Sequence, residues 1–391
     1  MSETLPVGAR PVEPVEEIGA GWDLILLGTT IVLAVFGLVA VLSASGDYAQ
    51  RICGNPWHFG IRQTIALTMG CLGGVTILAM PWRWIRASPV PVFVGVVVLL
   101  ILVQTPLGHA VNGAPRWIRV GPVNLQPSEL AKISLSLMLA HHLSRNAGRI
   151  RDVVGVVAPA VGLYLLPVLF LVYLQSDLGS IALLAGIAAV ALFVAGLEWR
   201  WVFASLASAL GAVALLIIDE PYRARRVQSF FDPLRDPLGD GYQVVQAWVA
   251  MAVGGVSGNG LGKGVAQQGF LPEAQTDMIL AVITEEFGAI GWTLVLFGQG
   301  ILLWRGMDIA TRARGMFELV LASCLTAVMA AQAVINSGVV AGLVPPKGLV
   351  LPFVSYGSSA TITNCLAVAL LLRIGLETHR RVENHPTVTR P

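Results

Sequence analysis

Residues 23–44 read DLILLGTTIVLAVFGLVAVLSA, a run whose one charged residue, Asp23, stands at its very start. At a rise of 1.5 Å per residue, roughly 20 apolar residues cross the hydrocarbon core of a bilayer as a helix. The same pattern recurs at 61–80, 89–105, 128–143, 154–174, 178–196, 200–218, 277–303, 316–342 and 358–376. The runs 89–105 and 128–143 are short for a span. Gln175-Ser176-Asp177 either joins two spans or kinks one long helix.

Composition agrees. The chain of 391 residues is 55% hydrophobic and 12% charged, against about 25% charged in an ordinary soluble domain. The fold expected is therefore an all-α polytopic membrane protein of about ten transmembrane helices. The formal net charge of +2 carries no sign of nucleic-acid binding. Arginines set the orientation. Arg83, Arg86, Arg145, Arg149, Arg151, Arg200, Arg305, Arg312, Arg314, Arg380 and Arg381 fall on the side of the N-terminus, whereas Arg51, Arg62, Arg116, Arg119 and Lys347 fall opposite. That excess, with an even number of spans, places both termini in the cytoplasm. Residues 1–22 and 378–391 read as cytoplasmic tails, the first disordered, and 23–377 as the membrane domain.

Residues 219–276 then form one long external loop. Structureless loops of that length are uncommon, and Tyr222, Phe230, Phe231, Tyr242 and Trp248 argue that it is ordered. Residues 242–256, YQVVQAWVAMAVGGV, are apolar but too short to span, and read as an interfacial or re-entrant helix. A glycine-rich stretch follows, from Gly254 to Gly264. It permits tight turns and close approach to a ligand, but lacks the GK[ST] ending of a phosphate-binding P-loop. Cys53, Cys71, Cys324 and Cys365 have no metal or redox spacing, and the histidines form no HExxH pattern.

Four segments place polar groups where lipid makes them costly. In Gln126-Pro127-Ser128-Glu129-Leu130-Ala131-Lys132, Glu129 and Lys132 are three apart and can pair on one helix face, either to fix packing or to line a cavity. In Gln175-Ser176-Asp177-Leu178-Gly179, Asp177 suits a helix cap. In Leu271-Pro272-Glu273-Ala274-Gln275-Thr276-Asp277, Thr276 or Asp277 can cap the next helix, with Asp277 at the mouth of an external cavity as a candidate general base. Glu285 and Glu286 lie roughly 12 Å deeper along that helix. In the segment from Pro345 to Gly357, Lys347 is either a solvated loop charge or an anion contact.

Together these segments resemble the SEDS family of peptidoglycan glycosyltransferases, over residues from about 23 to 377. Asn112-Gly113-Ala114-Pro115-Arg116-Trp117-Ile118 followed by QPSELAK looks like that family's NGxxRWI…QPSExxK. QSDLG looks like QPDLG, and Gly239 to Asp277 looks like GxGYQ…GGxxGxGLG…LPEAHTD. PPKGLVLPFVSYG and the N-terminal tail resemble the division-type (FtsW-like) branch more than the elongation-type (RodA-like) one. Gln275 stands where the family usually has His. Gly264, Ala266, Gln267, Pro115 and Ser358 also depart from its pattern.

The resemblance implies polymerisation of lipid II into glycan strands by inverting transfer, in septal wall synthesis at the inner membrane. It implies Asp277 as catalytic base, with Arg116, Lys132, Glu129, Lys347, Gln175, Asp177, Glu273 and Ser355 as substrate contacts. Arg116, Lys132 and Lys347 would face the leaving diphosphate, and a divalent metal ion, magnesium or manganese, could assist them. The expected partners are a class B penicillin-binding protein transpeptidase (FtsI-like) and other divisome membrane proteins. A lipid II flippase and a division scaffold remain as alternatives.

Overall fold

The computed structural model describes residues 22–111, 114–121, 123–201, 211, 230–239, 241–266 and 269–383. The expected span 200–218 falls almost wholly outside them, as do the N-terminal tail, much of the 219–241 stretch and residues past 383.

The other nine expected spans are helical. They are α1 Leu24–Cys53, α2 His58–Ala79, α4 Pro89–Leu102, α5 Pro127–Arg145, α6 Val153–Tyr173, α7 Leu178–Val194, α9 Ile279–Arg312, α10 Met316–Val340 and α11 Ser358–Glu383. Shorter helices include α3 Trp82–Ala87 and α8 Tyr242–Gly254. Local chemistry sets several boundaries. The Asp23 carboxylate accepts from the Leu26 N–H at 2.9 Å to start α1, and Gly54 ends it in the left-handed region at φ 67°, as an αL cap requires. Pro89 and Pro127 open α4 and α5 at first-turn positions, where a missing N–H costs nothing. The last helix continues to Glu383, so the expected tail beginning at 378 is partly helix.

Six of these helices are long and apolar enough to cross a membrane, and α4 and α7 are shorter apolar helices. Burial sorts them. Of their most apolar stretches, 28% is buried in α1 and 22% in each of α2 and α6, but 67% in α10 and 83% in α11. The first three thus present large apolar faces, such as Ile31, Val32 and Val35, which only lipid solvates without cost. The interior is built around α5 and α10. α5 packs against α4, α7, α10 and α11 and buries most of its length, including Ser128, Glu129 and Lys132.

Side-chain links show which helix ends share a face. Asp23 meets Arg305 at 2.9 Å, Trp82 donates to Glu318, and Arg373 donates to the Met80 carbonyl. The start of α1, the ends of α2, α9 and α11, and the start of α10 therefore lie together on a terminal face. At the opposite end, the motif face, the Gln126 N–H donates to Ser359 Oγ at 2.7 Å and the Tyr356 N–H to the Gln275 carbonyl at 2.9 Å. All four polar segments gather there.

Two features depart from an all-helical reading. A three-stranded antiparallel sheet, β1 Gly108–Val111, β2 Ala114–Val120 and β3 Val123–Leu125, caps the motif face between α4 and α5. Its signal lies in the sequence: Asn112-Gly113 separates Val111 from its partner Ala114, and Asn-Gly between β-formers is a strong hairpin pattern. Second, α9 is broken at Gly288, whose φ of 70° and ψ of −168° are not helical.

Candidate active site

Asp277 lies just before α9 and does not cap it: the helix starts after Met278 with no side-chain cap. Asp277 is 7% exposed, not at the surface as the sequence suggested, and Gln243 of α8 hydrogen-bonds its carboxylate. Thr276 Oγ donates within 3.3 Å of Asp277 Oδ1 and within 3.0 Å of Glu273 Oε2. Burial, reinforced by the negative charge of Glu273, raises the Asp277 carboxyl to about 7; bonds from its own N–H, Thr276 and Gln243 pull the other way without cancelling it. A carboxyl poised there is half ionised near neutrality, where a general base is most effective.

Backbone bonds fix this carboxylate. The Asn336 side chain, from α10, donates to the Asp277 carbonyl at 2.9 Å and to the Leu349 carbonyl at 2.7 Å. The Tyr356 N–H holds Gln275. Ser355 Oγ accepts from the Leu351 N–H at 2.9 Å, and the Ser355 carbonyl accepts from Gln63 Nε2. Ser355 is 2% exposed, and these bonds lock the Pro345–Gly357 segment around it. Asn336, Gln63 and Gln243 are supporting residues that the sequence reading missed. Their signal was a neutral amide inside an apolar helix, weaker than a charge.

The glycine-rich stretch repairs the break in α9. At a helix interruption, carbonyls before it and N–H groups after it lose their partners. Here the Asn259 and Gly260 N–H groups donate to the Glu285 and Glu286 carbonyls at 3.0 and 2.9 Å, and the Ala289 N–H donates to the Gly255 carbonyl at 2.9 Å. The side chains reinforce this. Glu285 accepts from the Val265 and Ala266 N–H groups, and Glu286 from the Gly262 N–H and the Ser43 hydroxyl. Gly258, at φ 75°, packs so closely that a Cβ would strike the Glu286 carbonyl. These glycines serve backbone contact within the protein. They tie α8, and with it Gln243, to the start of α9.

The junction of α6 and α7 is a turn, not a kink: Ser176 takes φ 55° and the two helices pack together. Arg116, from β2, donates through Nε to the Gln175 carbonyl at 2.7 Å and through Nη2 to the Ser176 carbonyl at 2.9 Å. It braces the turn between α6 and α7. Gln175 is fully buried, and its contribution here is that carbonyl. Asp177 accepts from the Ser180 N–H at 3.0 Å, the Ser180 hydroxyl at 2.6 Å, Gln126 Nε2 at 3.1 Å and the Ser128 hydroxyl at 3.3 Å. It is therefore a helix cap and a tie between motifs.

Glu129 and Lys132 pair at 2.6 Å with both side chains buried, so the expected pairing is present. Lys347 is half-buried, and its carbonyl accepts from the Leu349 N–H. The structure thus brings Asp277, Glu273 and the segment containing Lys347 into one cluster and Arg116, Gln175 and Asp177 into another. Contact of Gly179 with Leu349 joins the two. Among the described residues no three His, Cys, Asp or Glu side chains converge to hold a metal ion.

A family model of cell cycle proteins, FtsW/RodA/SpoVE, matches residues 23–380. The chain is 38% identical over 355 residues to the probable peptidoglycan glycosyltransferase FtsW of Geobacter metallireducens, covering 90% of this chain and 94% of that one. It is 36% identical over 370 residues to the counterpart in Legionella pneumophila, covering 93% of each. The fold matches a chain from a peptidoglycan synthase complex described as coordinating polymerisation and crosslinking, with a TM-score of 0.76, 28% identity and coverage of 92% and 99%. It also matches the rod shape determining protein RodA of Thermus thermophilus, with a TM-score of 0.66, 27% identity and coverage of 90% and 96%. With a family model spanning nearly the whole membrane domain, and the motif segments gathered on one face of it, the chain belongs to the FtsW/RodA/SpoVE family.

Proposed function

We propose that this chain is a division-type peptidoglycan glycosyltransferase that polymerises lipid II by inverting transfer, with Asp277 as general base. The observation that carries this reading is a buried carboxylate, Asp277, bonded by Thr276 and Gln243. It stands where the long connection between spans re-enters the helical bundle. The acceptor's 4-hydroxyl attacks the anomeric carbon of the donor. Asp277 takes the hydroxyl proton, the β-1,4 bond forms, and the C–O bond to the α-linked diphosphate breaks with its electron pair. A single base and no covalent intermediate accord with inversion.

A leaving diphosphate needs positive charge to stabilise it. Lys132, which Glu129 holds, Lys347 and Arg116, which is bound to the Gln175 and Ser176 carbonyls, are the cations placed for that role. The substrate's lipid tail stays in the bilayer while its sugars react on the motif face, which the arginine distribution makes the extracytoplasmic one. With that orientation both termini lie in the cytoplasm; the septum as its place in the cell follows from the division-type reading and not from the orientation. A crosslinking partner of the class B penicillin-binding type is supported by the matched synthase complex, where polymerisation and crosslinking are coordinated.

The test uses purified full-length protein and labelled lipid II, with and without the partner. Glycan strands form with wild type and not with Asp277→Ala, while the variant inserts and melts as a folded protein. Strands made by folded Asp277→Ala reject the base. A folded wild type that makes none in either condition rejects the polymerase reading and leaves the flippase.

A further inference from the structure

A cavity of about 230 Å³ lies between the motif-face end of α1 and the segment leading to Asp277. Ala44 and Tyr48 line it from α1; Gly269 and residues 271–275 line it from the other side. We propose that it is a subsite for one pyranose ring of the acceptor saccharide, with Tyr48 as stacking platform and Glu273 as hydroxyl acceptor. This rests on the glycosyltransferase reading and extends it to where the acceptor binds.

Size is the first argument. Pockets for drug-sized ligands run from about 300 Å³ upward, so this smaller one suits a single sugar ring. Chemistry is the second. A pyranose has an apolar C–H face and a rim of hydroxyls, and the lining matches both. Tyr48 stacks on Phe59 at 5.9 Å between ring centroids, and Phe59 meets Tyr356 edge-on at 5.0 Å. The platform is therefore fixed by a ladder of rings. Ala44, Leu271 and Ala274 add apolar wall. Glu273 is exposed and held at φ 53°. Its carboxylate accepts from Thr276 and keeps lone pairs for a sugar hydroxyl. Arg51 stands at the rim, 3.1 Å from where a Cβ on Gly269 would be, and offers N–H donors to a ring substituent.

Position is the third argument, and it selects the acceptor. The Thr276 hydroxyl lies within reach of both Glu273 and Asp277. A ring that uses Glu273 is thus one bridging hydroxyl from the base. The acceptor is the sugar that surrenders a proton to that base. The lysines suited to the departing diphosphate lie on α5 and in the Pro345–Gly357 segment, neither of which lines this cavity.

The experiment compares wild type with Tyr48→Leu and with the cavity-filling Ala44→Leu, each as full-length protein checked for folding by thermal melting. Two readouts are taken: steady-state polymerisation of lipid II, and direct binding of a soluble lipid-free peptidoglycan disaccharide. Tyr48→Leu should raise the apparent KM about tenfold, in line with loss of one aromatic contact, and lower kcat less. It should also weaken disaccharide binding and inhibition by a similar factor, with Ala44→Leu acting in the same direction. Wild-type KM and wild-type disaccharide binding in folded Tyr48→Leu overturn the subsite. If wild type makes no glycan, the glycosyltransferase reading fails. Disaccharide binding then still judges the cavity: loss in Tyr48→Leu supports it, and equal or absent binding in both proteins overturns it.

Discussion

Asp177 and Asp277 stand within two residues of the starts of α7 and α9, on the same face of the molecule, and they have opposite fates. The Asp177 carboxylate accepts four hydrogen bonds, from Ser180, Gln126 and Ser128. Asp277 caps nothing, is buried beneath α8, and has Glu273 as a like-charged neighbour. A helix start favours a carboxylate by its exposed N–H groups. Where those groups are taken up, the carboxylate is structural. Where the chain declines them and burial takes over, the carboxyl holds its proton more tightly.

Replacing Asp277 by Asn is the strongest way to break this comparison. Polymerisation should fall by about 10²–10⁴-fold, the range for a lost general base. Stability should not fall with it. The folded-state proton affinity of Asp277 is raised above its unfolded value, so its contribution to stability is complete below about 4 and is lost as pH rises through about 7. An uncharged isostere keeps that contribution, and Asp277→Asn should melt no lower than wild type at pH 8. A lower melting temperature there would make Asp277 a structural residue like Asp177.

The pH profile sharpens the same point. Below about 7 the rate should fall tenfold per pH unit as Asp277 takes up its proton, and above it the rate should level off. Glu273→Gln removes the neighbouring negative charge, so the inflection should move to lower pH. An unmoved inflection would detach Glu273 from the base.

Asp177→Ala should cost about 1–2 kcal/mol, as lost N-caps do, read as a lower melting temperature, with activity falling in step with the folded fraction. Asp177→Asn, still an acceptor, should recover much of it. The smallest effect is expected of Arg116→Lys. A single ammonium replaces the planar fork across the Gln175 and Ser176 carbonyls, and melting should drop by less than in Asp177→Ala, with kcat preserved in the folded protein.

Much of the fold was legible because lipid leaves few choices. A run such as 23–44 buries its backbone polar groups only as a helix, and nine such runs are helices here. The sheet at Gly108–Leu125 was hidden because strands of three to seven residues leave no mark on a hydropathy pattern set by membrane spans, although its Asn-Gly signal was present. The break at Gly288 escaped because a glycine within an apolar run does not reveal that residues 255–260 will supply its missing partners. Of the site, charged residues were visible by their cost, but a charge does not say what it faces. Arg116 and Asp177 were equally plausible as ligands and as caps until the α6–α7 turn was seen.

The sequence by itself determined that this chain lies in a membrane, where most of its helices run, and which segments carry polar groups too costly to be accidental. It did so because apolar runs and buried charges have local energetic consequences. Only the tertiary structure decided which carboxylate is left without a cap, because that depends on α8 folding over α9 and on Asn336, nearly sixty residues away, holding the Asp277 carbonyl. Proton affinity is a property of surroundings, and surroundings come from segments far apart in the chain.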